Sequence, residues 1–144
     1  MSEKFQAKRL LKLADFMNKV PRKQFDITRW CTEKECGTVA CALGWAGFIP
    51  AFRRLGLKTV SGMTARGHYY SSVTYQDCPD PFFSGSAFFG ISLHEAYCLF
   101  KSSPVYRKRL PTPKEVSRVL RKFVALRQKV GGPLTDIDIM SETN

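Results

Sequence analysis

Three cysteines recur at even spacing, Cys31-x4-Cys36-x4-Cys41, and two chemistries use such thiols. The first is metal binding. Zinc ligands usually pair two to four residues apart and need a second pair to close the tetrahedron. On a helix, Cys36 and Cys41 would stand about 140° apart and face different sides. His68, His94 and Cys78 add donors without a matching spacing, so no metal and no cofactor is expected. The second is nucleophilic catalysis. Cys36 precedes Gly37-Thr38 at the expected start of a helix, whose dipole lowers a thiol's pKa, and His94 or His68 is available as base. The plainer reading makes the cysteines small buried residues and His94 a surface residue.

Other catalytic patterns are missing. No Gly-rich phosphate loop or Gly-x-Ser-x-Gly elbow occurs. The carboxylates Asp77 and Asp80 bracket Cys78-Pro79, which reads as a turn. Phe82, Phe83, Phe88, Phe89, Tyr97 and Phe100 read as core in preference to a base-stacking platform. No catalytic residue is assigned, and the expectation is a protein that is not an enzyme.

Charge is the more informative signal. The 144 residues hold 23 Lys and Arg against 12 Asp and Glu, a net +11. Between Lys101 and Lys129 lie ten basic residues against the single acid Glu115, a net +9. Arg107, Lys108 and Arg109 form a triplet, with Tyr106 beside it to stack or pack. Lys114, Arg118, Arg121 and Lys122 follow on one helical face, with Lys129. Val116, Val119, Leu120, Phe123, Val124 and Val130 take the opposite face. A basic ridge on an anchored helix is the electrostatic footprint of a nucleic-acid binder that contacts phosphates. The bland alternative is a solvated helix face that happens to be basic. No zinc-finger spacing, RNA-recognition aromatic motif or helix-turn-helix points to base-specific readout. A membrane-surface role needs an apolar face free to enter the interface, and here that face is committed to the core.

These residues need elements to hold them. Ser2 is placed to cap a helix to about Lys19, with Phe5, Leu10, Leu13, Phe16, Met17 and Val20 inward and Lys4, Lys8, Lys12, Asp15 and Lys19 outward. Residues 21–35 read as a connection pinned by Trp30. A buried helix is expected from Cys36 to Ala46, then a short turn from Pro50 stopped by Gly56. Residues 57–80 read as a long loop or small hairpin. A helix over 82–90 ends at Gly90. Ser92-x-x-Glu95 and Thr112-x-x-Glu115 are capping boxes that open helices to about Phe100 and Val130, the second stopped at Gly131. The fold class is therefore mainly α: a single compact helical domain of about five helices over 1–132, with an acidic, flexible tail over 133–144. No signal peptide or spanning segment is evident, and the odd cysteine count fits reduced thiols in a cytoplasmic protein.

Several blocks together resemble an uncharacterised family of small bacterial and phage proteins. They are Phe25-Asp26 with Trp30, Cys36-Gly37-Thr38-Val39-Ala40-Cys41-Ala42-Leu43-Gly44, and Ile49-Pro50-Ala51-Phe52 with Gly56-Leu57. Phe88-Phe89-Gly90-Ile91-Ser92, Leu99-Phe100, and Thr112-Pro113 with Val116 complete them. The resemblance spans about residues 8 to 125, and its Cys-Gly-Thr block is fairly specific. Members often carry histidine after the Gly44 position, where this chain has Trp45, so no role resting on that histidine carries over. The resemblance implies one helical unit centred on the Cys-Gly-Thr helix, and a phage setting fits an inhibitor of a host or defence protein. Three readings follow: a basic binding protein for nucleic acid, a phage-type inhibitor with an acidic protein or nucleoprotein partner, and a thiol enzyme using Cys36.

Overall fold

The computed structural model describes residues 4–34, 37–101 and 111–135. In chain order the helices are α1 (Ala7–Met17), α2 (Ala42–Ala46), α3 (Pro50–Arg54), α4 (Pro81–Phe89), α5 (Leu93–Phe100) and α6 (Pro113–Val130). Two antiparallel hairpins interrupt them, β1 (Thr32–Lys34) with β2 (Gly37–Val39), and β3 (Lys58–Met63) with β4 (Tyr69–Thr74). The mainly helical expectation holds. None of the helices among the described residues is long and apolar enough to cross a membrane.

Local signals set the ends of the later helices. In α5, Glu95 N–H donates to Ser92 Oγ at 3.0 Å while the Glu95 carboxylate accepts from Ser92 N–H at 2.8 Å. Thr112 and Glu115 repeat the box at the start of α6. Gly90 and Gly131 end α4 and α6 in the left-handed region, at φ 65° and 80°, which frees the closing carbonyls to be capped. Asp80 caps α4 by accepting from Phe83 N–H at 3.0 Å.

Two expectations about the first half are corrected. α1 starts at Ala7, not near Ser2, and Gln6 at its N-cap makes no side-chain cap bond. The chain just before it is committed elsewhere: Gln6 N–H donates to Phe89 O at 2.9 Å, and a Cβ on Gly90 would stand 2.1 Å from Lys4 O. That tertiary contact keeps residues 4–6 out of the helix. The helix expected from Cys36 is the larger error, since Gly37–Val39 is strand paired with Thr32–Lys34. The backbone bonds continue outward from this pair. Ala40 N–H donates to Gln24 O, Asp26 N–H to Ala40 O, and Cys41 N–H to Arg29 O at 2.7 Å. With these groups spent on neighbouring segments, the helix cannot begin until Ala42.

Residues 57–80 resolve into the hairpin alternative. Lys58↔Thr74 through Met63↔Tyr69 pair in register, and Thr64 and His68 close the turn. Buried Thr59 ties the hairpin to α2, donating its hydroxyl to Gly44 O at 2.5 Å. The core beneath is aromatic: Phe52 lies 4.9 Å from Phe88, and Phe88 lies 5.0 Å from Phe89, all edge to face.

α1 and α6 pack as an antiparallel pair. Phe5 meets Phe123 edge-on at 6.2 Å, buried Ser117 donates to Ala14 O at 2.8 Å, and Lys19 shares a cleft with Lys114. Leu134 is also buried, so the chain stays on the domain past Gly132. The tail positions 136–144 lie outside the described residues.

Candidate functional site

On α6, Val116, Val119, Leu120, Phe123 and Val124 are buried, each stabilising the docked helix by about 1.5–3 kcal/mol. This turns Lys114, Arg118, Arg121 and Lys122 outward, and all four are exposed, as is Lys129. One detail of the expected wheel is corrected. Val130 is 53% exposed, in the last turn of α6, where residues 128–131 are all exposed. Arg127, one of the ten bases counted between Lys101 and Lys129, stands apart from the ridge: its Nε donates to Glu95 Oε2 at 3.1 Å, and its guanidinium lies 4.7 Å from the Phe5 ring centroid. Arg107, Lys108 and Arg109 lie outside the described residues.

The structure brings a second row of charge beside the first. Lys8, Lys12, Asp15 and Lys19 fall at i, i+4, i+7 and i+11, one stripe along α1 and its end, and all are exposed. Because the helices run antiparallel, Asp15 meets Arg121 in an exposed ion pair, while Lys19 and Lys114 line one cleft of about 550 Å³ with Asp15 and Asn18. Lys8, Lys12, Lys19, Lys114, Arg118, Arg121, Lys122 and Lys129 thus share a two-helix face with exposed Asp15, while Glu115, half-buried, turns its carboxylate back onto Thr112 at the start of α6. The α1 spacing was legible in the sequence. Its pairing with α6 was not.

Eight cations on one surface create a positive field that attracts an anion, and their flexible stems adapt to unevenly spaced phosphates. Among the described residues of the two rows, the acid set against these cations is Asp15, and it is engaged in the ion pair with Arg121. What this face can do chemically is hold negative charge.

The thiols have different surroundings. Cys36 lies outside the described residues, and the strand at Gly37–Val39 removes the helix N-terminus that argued for its activation. Cys41 occupies the N-cap position instead, its sulfur accepting from Gly44 N–H at 3.4 Å. Burial dominates there and pushes the thiol up to about 12, although the backbone N–H groups of Gly44 and Leu43 act in the opposite sense. A cap position alone does not make a nucleophile. His68 and His94 are both exposed, and His94 Nε2 lies 3.9 Å from the sulfur of buried Cys98. Among the described residues, no three His, Cys, Asp or Glu side chains gather to hold a metal ion.

The remaining candidates have structural explanations. Asp77 sits with Gln76 at positive φ in the two-residue turn between Tyr75 and Cys78, and Asp80 caps α4. The aromatic run divides: Phe88, Phe89 and Phe100 are core, Phe83 is 54% and Tyr97 39% exposed, and Phe82 packs on Trp30. No protein-family model, curated protein or solved structure matches the chain.

Proposed function

We propose that this chain is a non-enzymatic binding protein that engages nucleic acid by phosphate contact through the paired polar faces of α1 and α6. The observation that carries this reading is the side-by-side placement of eight exposed cations, with Asp15 the exposed acid among the described residues of the two helices. A solitary basic helix face is commonplace. Two such faces held edge to edge by a packed core make a surface wide enough to follow a phosphate chain. The triplet Arg107, Lys108 and Arg109 belongs to the same proposal, since it precedes Lys114 by only a few residues of chain. In this reading the protein works in the cytoplasm, beside its polyanion.

The test is binding of a labelled duplex and a labelled single strand across a salt series. Affinity falls steeply with salt, and the logarithmic slope drops by about one for each contacting cation removed. Reversing Lys114, Arg118 and Lys122 to Glu abolishes binding while the far-ultraviolet spectrum stays unchanged. Equal binding by the reversed variant overturns the proposal.

A second reading keeps the same face but gives it an acidic protein or nucleoprotein partner, as a phage-type inhibitor of a host or defence protein requires. It is favoured by the exposed apolar and aromatic residues of the β3–β4 hairpin, with Met63 66%, Tyr70 50% and Tyr69 47% exposed. Capture of a partner that survives nuclease treatment separates it from the first. The thiol-enzyme alternative on Cys36 has lost the helix start it rested on.

A further inference from the structure

A cleft of about 290 Å³ lies where the end of α5 meets the segment after α1, and its lining is aromatic and apolar with cations at the edge. Ile27 and Phe100, 7% and 1% exposed, form its base. Trp30 and Phe82 wall it, their rings 5.1 Å apart and nearly perpendicular. Behind Phe82 stands Tyr97 at 4.5 Å, and the ammonium of Lys101 lies 5.8 Å from the centroid of that ring. Arg29 also lines the cleft, sharing its guanidinium with Asp26 at 3.2 Å.

This cleft adjoins a neighbouring depression on the side of the α6 N-terminus. Ile27 also borders a second depression of about 230 Å³, shared with Arg22, Phe25, Asp26 and Pro111, and the Asp26 carboxylate there is engaged by Thr28 and Arg29. Pro111 stands three residues before Lys114, which opens the cleft with Lys19. Lys101, Arg22, Lys114 and Lys19 line the successive depressions, in which the carboxylates Asp26 and Asp15 are each paired with an arginine.

We infer that the aromatic cleft receives a nucleobase of a single strand whose phosphates follow the α1–α6 face. The inference rests on the proposed function and gives it a substrate class. The volume is at or below the lower end of ligand pockets, about 300–1,000 Å³, and suits one ring system. Trp30 and Phe82 offer stacking partners for a flat ring, and Lys101, with Arg29 partly neutralised by Asp26, supplies positive charge beside it for a flanking phosphate. A base within a duplex reaches such a cleft only by unpairing. Single strands are therefore preferred.

The test uses the full chain, oligothymidylate, and an abasic phosphodiester of equal length and charge. Trp30 and Trp45 are the two tryptophans, and Trp45 lies apart, against Phe16 and Phe48. Oligothymidylate is expected to quench Trp30 emission and to bind about tenfold more tightly than the abasic strand. Phe82→Leu, which keeps the apolar volume, removes that margin and leaves abasic and duplex binding unchanged. A Trp30→Phe variant loses the quenching. Equal affinity for both strands without quenching overturns the base-binding cleft while leaving the phosphate-binding face standing. Binding by neither strand overturns both. Displacement of the strand's base by free aromatic peptide at micromolar concentration, with no tenfold margin, assigns the cleft to a protein side chain and also overturns the inference.

Discussion

Arg127 reaches across from α6 to α5 and donates through Nε to Glu95 Oε2 at 3.1 Å, with side-chain exposures of 12% and 0%. The same carboxylate oxygen accepts from the backbone N–H of Leu134 at 3.0 Å, and its companion accepts from Ser92 N–H. One acid thus caps its own helix, neutralises a cation from the next and fastens the chain that leaves α6.

That convergence sets the penalty for breaking it. Glu95→Ala strands a buried guanidinium and removes the acceptor from two backbone donors, so stability should fall by about 3–5 kcal/mol. Arg127→Ala should cost a similar amount. Urea unfolding of the two single variants and the double variant checks this, because the double loss should be well below the sum. Additive losses would show the pair to be uncoupled.

Asp15 is an exposed carboxylate on the two-helix face, and it occupies Arg121. Its replacement by Asn removes a surface ion pair worth about 0–1 kcal/mol, so folding changes little. Nucleic-acid affinity at low salt should rise about two- to threefold, as one repulsive charge near the phosphates is lost. Fluorescence anisotropy reads the change. A lower affinity would mean that Asp15 orients Arg121 for binding.

Gly44 lies so close to the Trp30 carbonyl that a Cβ there would stand 1.8 Å from the oxygen, which is backbone and cannot swing away. Gly44→Ala should destabilise the protein by about 1–3 kcal/mol or more, despite alanine's better helix propensity. Thermal unfolding tests this directly, and an unchanged midpoint would mean that the Trp30 segment yields easily.

Cys41 should resist alkylation in the native state near neutral pH, since it is 1% exposed and burial raises its thiol to about 12. Among the described cysteines, Cys78, which alone is not buried, should label first. The shift also carries a stability consequence. With the folded pKa above the ordinary thiol value, Cys41 favours the folded state below about pH 8.5, and this contribution fades as pH rises toward 12. Mass spectrometry after timed iodoacetamide exposure checks the labelling order.

Asp26 works at the other end of the pH scale. Burial pushes its carboxyl up, but the side-chain and backbone donors of Thr28 and the guanidinium of Arg29 together outweigh this and leave it below the usual value. Its contribution to stability is therefore present above about pH 4 and lost as pH falls through the depressed folded value. Partial exposure keeps it under about 1 kcal/mol. Asp26→Asn should be slightly less stable than wild type at pH 7 and equal to it near pH 2, as read from urea midpoints at the two pH values.

The sequence by itself determined the features that act over a few residues. Ser92 with Glu95 and Thr112 with Glu115 open helices by bonds that close within one turn, and Gly90 and Gly131 end helices through backbone conformations open to glycine. The amphipathic spacing of α6 was enough to turn Lys114, Arg118, Arg121 and Lys122 outward. Tertiary structure decided the rest, because those outcomes depend on partners distant in the chain. Gly37–Val39 became strand where Thr32–Lys34 offered backbone bonds, although the small residues that follow read as one continuous helix. Arg127 looked like any other base of α6 until Glu95 and Phe5 drew it inward. The lysines of α1 were ordinary solvated charge until antiparallel packing set them beside α6. Charge is written residue by residue, but a charged surface exists only after packing has brought two helices edge to edge.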